Sequence, residues 1–392
     1  MTPLRHNAPG VAIACGGTGG HLFPGLAVAG QLRHRGCAVT LLVSPKEVDQ
    51  HAVKSAPGME IITLPAVGLQ RGSRLAFFRG FGQSWLAARR HFKVRPPHAV
   101  LAMGGFTAAP PVLAGRRLGA KTFLHESNTV PGRANRWLAR WVDQVFVGFP
   151  QAGTRLHAKE TTVTGTPVRP EIRPQDAGAC RVALGLDPAR PVVLVMGGSQ
   201  GATGINELIL SALPQLAARG PRWQWLHLTG PNDLDKMRAA YASLGLKALV
   251  QPFLQEMEQV LAVATVVVSR AGASSLAEFA ALRVPSVLVP FPHAADDHQL
   301  HNARAFAETD AAFLLEQKDA TPEKVVQLIS KLSENPAARE KMQAALAPWH
   351  APKAAERIAE IILTAVLGRV SISEPGGREG GVENEFTLKA TA

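Results

Sequence analysis

A histidine directly after a glycine-rich turn is the residue of this chain best suited to acid–base chemistry. The turn reads GGTGGH, ends at His21 and follows an apolar run that ends at Cys15. An imidazole titrates near neutral pH and can therefore take a proton from a hydroxyl group. The alternative is a histidine that only holds the start of a helix. We treat His21 as a candidate general base in a cleft.

A second stretch, SRAGASSLAE, has the composition of an anion-binding helix start. The first N–H groups of a helix lack partners within the helix, and the helix dipole attracts anions to that end. Gly272, Ala273, Ser274 and Ser275 have small side chains that leave these N–H groups accessible, and Glu278 follows about one turn into the helix. The alternative is an ordinary cap in which the serines serve only their own helix. The stretch is a candidate cradle for a diphosphate.

Two acidic patterns could suggest a metal ion, but neither has the features of a metal site. Asp233 and Asp235 form a D-x-D at a predicted helix start, where acidic residues commonly act as caps. The loop between His293 and His301 lacks H-E-x-x-H spacing and is typical of a solvated loop. We expect no metal and no cofactor. A leaving diphosphate would then depend on the helix start, with Arg169 as a further cation.

Common nucleotide-binding motifs do not match the glycine-rich turns GGTGGH and GGSQGA. Neither turn is G-x-G-x-x-G, and Val43, at the end of the second predicted strand, is followed by Ser44, Pro45 and Lys46 instead of an acidic residue. A nicotinamide dehydrogenase is therefore disfavoured. The chain also has no G-x-x-x-x-G-K-[ST], which excludes a P-loop nucleotidase.

Short apolar strands that alternate with helical segments must position these residues. Strands are predicted at 11–15, 38–43, 61–64, 99–103, 121–124 and 145–148, then again at 191–196, 223–228, 248–252, 265–269, 285–291 and 312–316, with helices from about Pro24 and Ser274. This rhythm predicts an α/β fold with two Rossmann-like, doubly wound parallel-sheet domains facing a cleft. The expected division is a domain at 1–168, a linker at 169–190, a domain at 191–370 and a disordered tail at 371–392.

The charge of the chain is concentrated in its first half. Residues 1–168 contain 20 Lys and Arg against 6 Asp and Glu, whereas the rest contains 22 against 24. A basic domain indicates an anionic partner, such as a phospholipid surface, nucleic acid or an acidic substrate. The three cysteines have no C-x-x-C spacing, and no uncharged apolar run is long enough for a membrane span. We expect a protein of a reducing compartment, soluble or attached to a membrane peripherally.

The segment Leu69–Arg95 is the most basic part of the first half. It has seven basic and no acidic residues, and Leu75, Phe78, Phe81 and Trp85 recur at helical spacing. This pattern is typical of an amphipathic helix that lies in an anionic membrane surface. An ordinary core face with a solvated basic back is the alternative. Nucleic acid is not expected, because no recognised binding motif accompanies the charge.

Seven motifs, each weak alone, together resemble one family. GGTGGHLFPGLAVA, MGGF, HESN, GTPVR, GGSQGA, SRAGASSLAE and PFPHAADDHQLHNA occur in the order found in the MurG family, over Val11 to about Leu367. The resemblance implies a GT-B fold and an inverting, metal-independent transfer of N-acetylglucosamine (GlcNAc). The donor would be UDP-GlcNAc, and the acceptor the 4-hydroxyl of the muramyl sugar of lipid I, an undecaprenyl-linked muramyl pentapeptide. The product would be lipid II, made at the cytoplasmic face of the cell membrane.

The resemblance also implies roles for residues of the first domain. Thr18, Gly19 and Gly20 would line the cleft at the donor and acceptor diphosphates, with His21 as the base. Asn128 would contact the donor sugar.

In the second half the resemblance implies a nucleotide-sugar site. Arg169 and Ser199 would bind the diphosphate, and Leu254 would meet the uracil. A continuous run would hold phosphate and ribose, with its last member on the ribose hydroxyls: Ala273, Ser274, Ser275, Leu276, Ala277 and Glu278. Gln299 would contact the GlcNAc hydroxyls.

Two other functions remain open at this point. One is a related GT-B transferase that acts on another membrane acceptor, such as diacylglycerol. The other is a non-catalytic nucleotide-sugar-binding protein that works as a membrane partner. A transfer assay with defined donors and acceptors separates these possibilities.

Overall fold

A computed structural model describes residues 8–17, 19–46, 49, 58–65, 74–198, 201–219 and 222–368. Within these ranges the chain forms two parallel sheets covered by helices. The predicted fold class, two Rossmann-like domains, is confirmed. The expected disordered tail at 371–392 lies outside the described residues.

The first sheet contains seven strands among the described residues. They are β1 (Gly10–Ala14), β2 (Ala38–Val43), β3 (Glu60–Thr63), β4 (Ala99–Ala102), β5 (Lys121–Glu126), β6 (Gln144–Val147) and β7 (Thr161–Val163). Their order is β3-β2-β1-β4-β5-β6-β7, and every pairing is parallel. The central strands are apolar and almost fully buried, as expected for a sheet covered on both faces.

The second sheet repeats this topology with six described strands. They are β8 (Val192–Met196), β9 (Gln224–Leu228), β10 (Ala248–Gln251), β11 (Val266–Ser269), β12 (Ser286–Leu288) and β13 (Phe313–Leu314). The order β10-β9-β8-β11-β12-β13 is the doubly wound order, and all pairings are parallel.

Helices cover both sheets. In the first half they are α1 (Gly19–His34), α2 (Arg74–Val94), α3 (Ala109–Arg117), α4 (Arg133–Leu138) and α5 (Pro150–Gly153). In the second half they are α6 (Ala177–Ala183), α7 (Thr203–Ala217), α8 (Leu234–Ser243), α9 (Met257–Val263), α10 (Ala273–Leu282), α11 (His298–Ala307), α12 (Pro322–Glu334), α13 (Pro336–Leu346) and α14 (Ala354–Leu367).

The strand order places a crevice in each domain. The chain leaves the first sheet in opposite directions after β1 and β4, and the second sheet after β8 and β11, so the loops at these strand ends diverge. Ligands bind at such switch points in open α/β sheets. The described parts of GGTGGH and GGSQGA lie at these switch points, and so do the MGGF and SRAGA motifs.

The last helix returns to the first sheet. Ile358, Ala359 and Ile362 of α14 are fully buried in one core with Val11 and Ile13 of β1. Arg35 at the end of α1 also pairs with Glu356 and Glu360, at 3.2 and 3.3 Å. The segment 191–370, expected from chain order to be one domain, therefore ends in a helix that packs on the other domain.

Several element boundaries differ from the sequence-based expectations. Helix α1 begins at Gly19, earlier than the expected start near Pro24, so His21 lies in its first turn. Strand β12 has only three residues, since Pro285 and Pro290 flank it and proline has no N–H for the sheet. Strand β7 was not expected, because TTV at the sheet edge is short and partly polar.

Candidate active site

The two domains enclose a cleft of about 1510 Å³. Its walls come from the carboxyl ends of both sheets and the helices that follow them. Residues from both domains line it, among them Gly19, Gly20, His21, Asn128, Arg169, Gly272, Ala273, Ser274, Ser275, Glu278 and Gln299. The structure thus brings most of the predicted site residues into one cavity.

The ring of His21 lies against a turn of two glycines at the end of β4. A Cβ added to Gly104 would lie 2.9 Å from Cε1 of His21, and one on Gly105 would lie 3.3 Å from Nε2. Both glycines have positive φ, at 109° and 80°, which side chains disfavour. The MGGF motif therefore provides both the turn and the space that the imidazole occupies.

Burial lowers the pKa of His21 below its usual value, and this effect is the largest. The negative charge of Glu126 and the Met103 carbonyl act in the opposite direction. A lowered pKa keeps the imidazole neutral at neutral pH, because burial disfavours its charged form. Only the neutral form can accept a proton, so this environment suits a general base.

Glu126 orders the HESN loop. Its carboxylate accepts hydrogen bonds from the backbone N–H and the side-chain amide of Asn128, at 2.8 and 3.0 Å. It also accepts one from the Gly132 N–H at 3.1 Å and one from the Asn135 amide at 2.7 Å. Glu126 is almost fully buried. It therefore fixes Asn128, a predicted sugar contact, and Asn135, which also lines the cleft.

Asp49 positions the first glycine-rich turn through hydrogen bonds. Its Oδ2 accepts hydrogen bonds from the Gly17 N–H at 2.7 Å and from the N–H and hydroxyl of Ser44. Lys46 donates to the Gly17 carbonyl at 2.9 Å, and Thr107 donates to the Gly16 carbonyl at 2.8 Å. The turn that precedes α1 is therefore positioned by side chains from two neighbouring strand ends. Thr18, a predicted contact, lies outside the described residues.

The start of α10 is open to the cleft. Gly272 is its N-cap, and no side chain makes a capping hydrogen bond there. The alternative of an ordinary serine cap is therefore wrong. Because the helix does not use Ser274 and Ser275 as caps, its first N–H groups remain available to an anion.

Arg169 lies between the two domains. It donates to Glu278 of α10 at 3.4 Å, and its guanidinium lies 4.2 Å from the centre of the Phe23 ring of α1. Burial raises the pKa of Glu278 above its usual value, and the charge of Arg169 offsets part of this effect. The linker arginine thus contacts both walls of the cleft.

Gln299 and Asn302, both on α11, are held in fixed orientations. The side-chain oxygen Oε1 of Gln299 accepts hydrogen bonds from the N–H groups of Ala271 and Phe291, at 3.3 and 3.0 Å. This leaves the hydrogens of its side-chain NH₂ group for a ligand. Asn302 is fully buried; it accepts from the N–H and hydroxyl of Thr129 at 2.9 Å and donates to Asn128 at 3.0 Å. The second domain therefore helps to orient the HESN loop of the first.

Besides Thr18, four predicted binding residues do not line the cleft with described side chains. Leu276 is fully buried in the core of the second domain, and Leu254 packs against that core. Ala277 is half-buried outside the lining. Ser199 lies outside the described residues. The neighbours of Leu254 in the chain, Phe253 and Gln255, do line the cleft.

Several cleft residues were missed by sequence reasoning. Arg270 is buried, donates to the carbonyls of Val289 and Pro290 at 3.0 and 3.1 Å, and burial lowers its pKa to about 10. Asp296 binds Arg136 at 2.7 Å and Arg133 at 3.2 Å across the domain boundary. Their partners lie far away in sequence, so no local pattern reveals them.

The acidic patterns have structural partners. Asp233 precedes α8 but makes no capping bond; it accepts from Thr203 at 2.9 Å and Asn206 at 2.7 Å, which lowers its pKa. The expectation that it caps with its side chain is therefore wrong. Among the described residues, no group of three or more His, Cys, Asp and Glu side chains is arranged to hold a metal ion.

Comparison with protein families matches both halves of the chain to glycosyltransferase family 28. Residues 11–147 match the family's N-terminal domain and residues 192–359 its C-terminal domain. These ranges include β4, β5, β8 and β11, whose carboxyl ends line the cleft.

Named relatives cover most of the chain. A protein of Xanthomonas euvesicatoria pv. vesicatoria (strain 85-10) is 42% identical over 357 residues, which is 90% of this chain and 80% of that protein. A protein of Pelobacter propionicus is 35% identical over 345 residues, covering 83% and 91%. Both are named UDP-N-acetylglucosamine--N-acetylmuramyl-(pentapeptide) pyrophosphoryl-undecaprenol N-acetylglucosamine transferase. The crystal structure of Acinetobacter baumannii MurG superposes with a TM-score of 0.71 at 30% identity, covering 91% of this chain and 100% of that one.

Proposed function

The chain belongs to the MurG family of glycosyltransferases, and from this membership we propose that it transfers GlcNAc from UDP-GlcNAc to lipid I to form lipid II, as the names of its relatives state for them. The observation that supports this most directly is the cleft itself. It places a neutral histidine of the first domain opposite an uncapped helix start of the second.

We propose His21 as the base that takes the proton of the muramyl 4-hydroxyl. The hydroxyl oxygen then attacks C1 of GlcNAc, and the bond between C1 and the UDP oxygen breaks, with its electron pair leaving on UDP. Attack opposite the leaving group inverts the configuration at C1. The turn of Gly104 and Gly105 holds the imidazole, and Glu126 orients Asn128 in the same cleft.

The leaving diphosphate gains negative charge, which needs stabilisation in the transition state. The N-terminal N–H groups of α10, at Ala273 to Ser275, and the guanidinium of Arg169 are the proposed donors. Glu278 would accept hydrogen bonds from the ribose hydroxyls, and Gln299 would donate to the sugar. The contacts of Ser199, Thr18 and Leu254 remain proposals from the family resemblance.

We place the protein at the cytoplasmic face of the cell membrane as a peripheral protein. Within the described ranges, no helix combines the length and apolar character that crossing a bilayer requires. Helix α2 instead exposes apolar side chains, with Leu75 at 88% and Phe78 at 68% accessibility. Arg79 is their neighbour in the helix, and Arg89, Arg90 and Lys93 follow in its second half. Apolar insertion combined with basic charge is how interfacial helices bind anionic lipid. Positions 69–73 of the predicted segment lie outside the described residues.

The transfer assay tests the function directly. Purified protein, UDP-GlcNAc and a lipid I analogue should yield the disaccharide product and UDP in equal amounts, with EDTA leaving the rate unchanged. Transfer to diacylglycerol instead would favour the related transferase, and absence of both transfer and donor hydrolysis would favour a binding protein. A rate lost with EDTA and restored by Mg²⁺ would contradict the metal-independent mechanism.

A further inference from the structure

The cleft continues beyond His21 as an apolar groove in the first domain. Its walls are Phe77, Phe78 and Phe81 of α2, Leu113 of α3, Val130 after the HESN loop and Trp137 of α4. We call these six residues the aromatic groove. They line the same cavity as His21 and Asn128, so the groove opens directly to the reacting centre.

The groove exists because one face of α2 extends past the core it packs on. At the C-terminal end of the helix, Ala88 and Phe92 on this face are fully buried against the sheet and α3. About two and three turns before Ala88, the same face presents Phe81, which touches the core only in part, and Phe77, which does not belong to it. These two rings lie 6.2 Å apart and line the cavity without a covering element among the described residues.

The acceptor proposed above has an apolar part that must leave the cleft close to His21. In a sugar–diphosphate–polyprenol, the diphosphate connects the sugar directly to the first isoprene unit. A sugar whose hydroxyl reaches His21 therefore brings the first prenyl carbons into the first-domain half of the cleft. An apolar chain there is stabilised by leaving water only if the wall is apolar as well.

We propose that the aromatic groove binds the first isoprene units of the polyprenyl diphosphate acceptor and guides the chain from the cleft towards the exposed face of α2. This inference rests on the proposed function. The groove shares one cavity with His21, and two of its residues, Phe78 and Trp137, are exposed to solvent. Arg133 lines the same cavity with an exposed side chain that pairs with Asp296 at 3.2 Å.

The test compares two acceptors in detergent-free solution, one with a short chain of isoprene units on its diphosphate and one with a methyl group there. We expect the wild type to have the lower KM for the prenyl acceptor. Phe77→Ser and Trp137→Ser should each raise this KM by about tenfold, the effect of losing one buried aromatic contact, and leave the KM for the methyl acceptor unchanged. Val94→Ser, exposed on the same helix outside the cavity, should change neither value.

A direct binding measurement completes the test. A polyprenyl diphosphate with a photoreactive group on its first isoprene unit should label peptides of α2 or α4 in the wild type, and labelling should fall in Phe77→Ser. Equal KM values for both acceptors in the wild type would contradict binding of the isoprene units in the groove. Labelling only at peptides outside α2 and α4 would contradict it as well. Displacement of the label by phospholipid but not by unlabelled polyprenyl diphosphate would assign the groove to a membrane lipid instead. Failure to use either acceptor would contradict the proposed function itself.

Discussion

At the scale of single residues, the site depends on small residues that create space and buried acids that fix polar groups. Gly104 and Gly105 leave room for the His21 ring, and Glu126 and Asp49 order the two loops beside it. Without the carboxylates, several loop N–H groups would lack partners in the protein, which is costly where they are buried. The reactive histidine is therefore one member of a larger hydrogen-bonded arrangement.

Replacing His21 with alanine should lower kcat by about 10²- to 10⁴-fold, the usual contribution of a general base. The affinity for UDP-GlcNAc should stay unchanged, because the proposed donor contacts lie elsewhere. Steady-state kinetics and calorimetry measure the two quantities. His34→Ala is the control, since His34 is exposed on the same helix. Normal turnover in His21→Ala would remove it as the base.

The pH dependence of the wild type follows from the same environment. Because burial lowers the pKa of His21, the imidazole remains neutral until the pH falls below its ordinary value of about 6.5. The acid limb of kcat/KM should therefore lie below about pH 6.5 and disappear in His21→Ala. An acid limb above pH 7 would contradict a histidine with a lowered pKa.

Gly104→Ala should reduce both stability and turnover. Its φ of 109° is strained for alanine, and the new Cβ would lie 2.9 Å from the His21 ring, which must move. Gly119→Ala is a matched control, because Gly119 has φ of 88° but no heavy atom within 4 Å of the added Cβ. Both variants should lose about 1–3 kcal/mol in chemical denaturation, and only Gly104→Ala should also lose kcat. Equal kcat in the two variants would show that the turn does not position His21.

At the scale of elements, helix α2 has two apolar faces with different surroundings. The inner face runs through Phe77, Phe81, Ala88 and Phe92. The outer face contains Leu75, Phe78 and Leu86, which are exposed. The sequence suggested a single stripe that included Trp85, but Trp85 is half-buried and Arg89 lies 5.4 Å from its ring centre. The membrane-binding surface, if α2 forms it, is therefore the outer face.

The double variant Leu75→Ser/Phe78→Ser should weaken binding to vesicles that contain anionic phospholipid by about tenfold or more, because two exposed apolar side chains can no longer enter the bilayer. Sedimentation with vesicles measures the loss, and thermal unfolding should stay near that of the wild type. Val182→Ser, exposed in the second domain, is the control. Unchanged sedimentation of the double variant would refute the membrane role of this face.

At the scale of the whole molecule, contacts between the domains shape the cleft. Asn302 links α11 to the HESN loop, Asp296 pairs with two arginines of α4, and α14 packs on the first sheet. The site exists only when both domains are in place, because Arg169, His21 and α10 come from separate parts of the chain.

Two buried histidines make the molecule sensitive to acid. Burial lowers the pKa of His125 to about 4 and that of His227 to about 3, so the folded state keeps both neutral. The unfolded chain takes up protons at these histidines below about pH 6.5, whereas the folded state does not. The free energy of unfolding is therefore undiminished above that pH and falls as the pH falls towards 4. The free energy of unfolding should fall by up to about 1.4 kcal/mol per pH unit for each histidine.

Urea denaturation at a series of pH values measures this slope. In His125→Gln the slope between about pH 6.5 and 4 should be smaller, because one buried histidine fewer contributes to it. The same slope in both proteins would show that His125 does not contribute.

The sequence by itself determined the fold class, the repeated order of strand, glycine-rich turn and helix, and the main chemical groups of the cleft. These are local properties: apolar runs predict strands, and glycines and a histidine at a strand end predict a turn near a ligand. For this reason His21, Arg169 and Glu278 could be chosen before the structure was known, and the family resemblance added Gln299; all four line the cleft. Their roles in binding and catalysis stay predictions.

Only the tertiary structure decided which residues support that chemistry. Asn302 meets Thr129 across 173 positions of sequence, and Asp296 meets Arg136 across 160. The return of α14 to the first sheet and the division of α2 into two faces likewise depend on what packs against each helix. Periodicity shows that a face is apolar, but it does not show whether a core, a membrane or a ligand covers it. The tertiary structure shows which part of that face the core covers and which part is open to the cleft or to solvent.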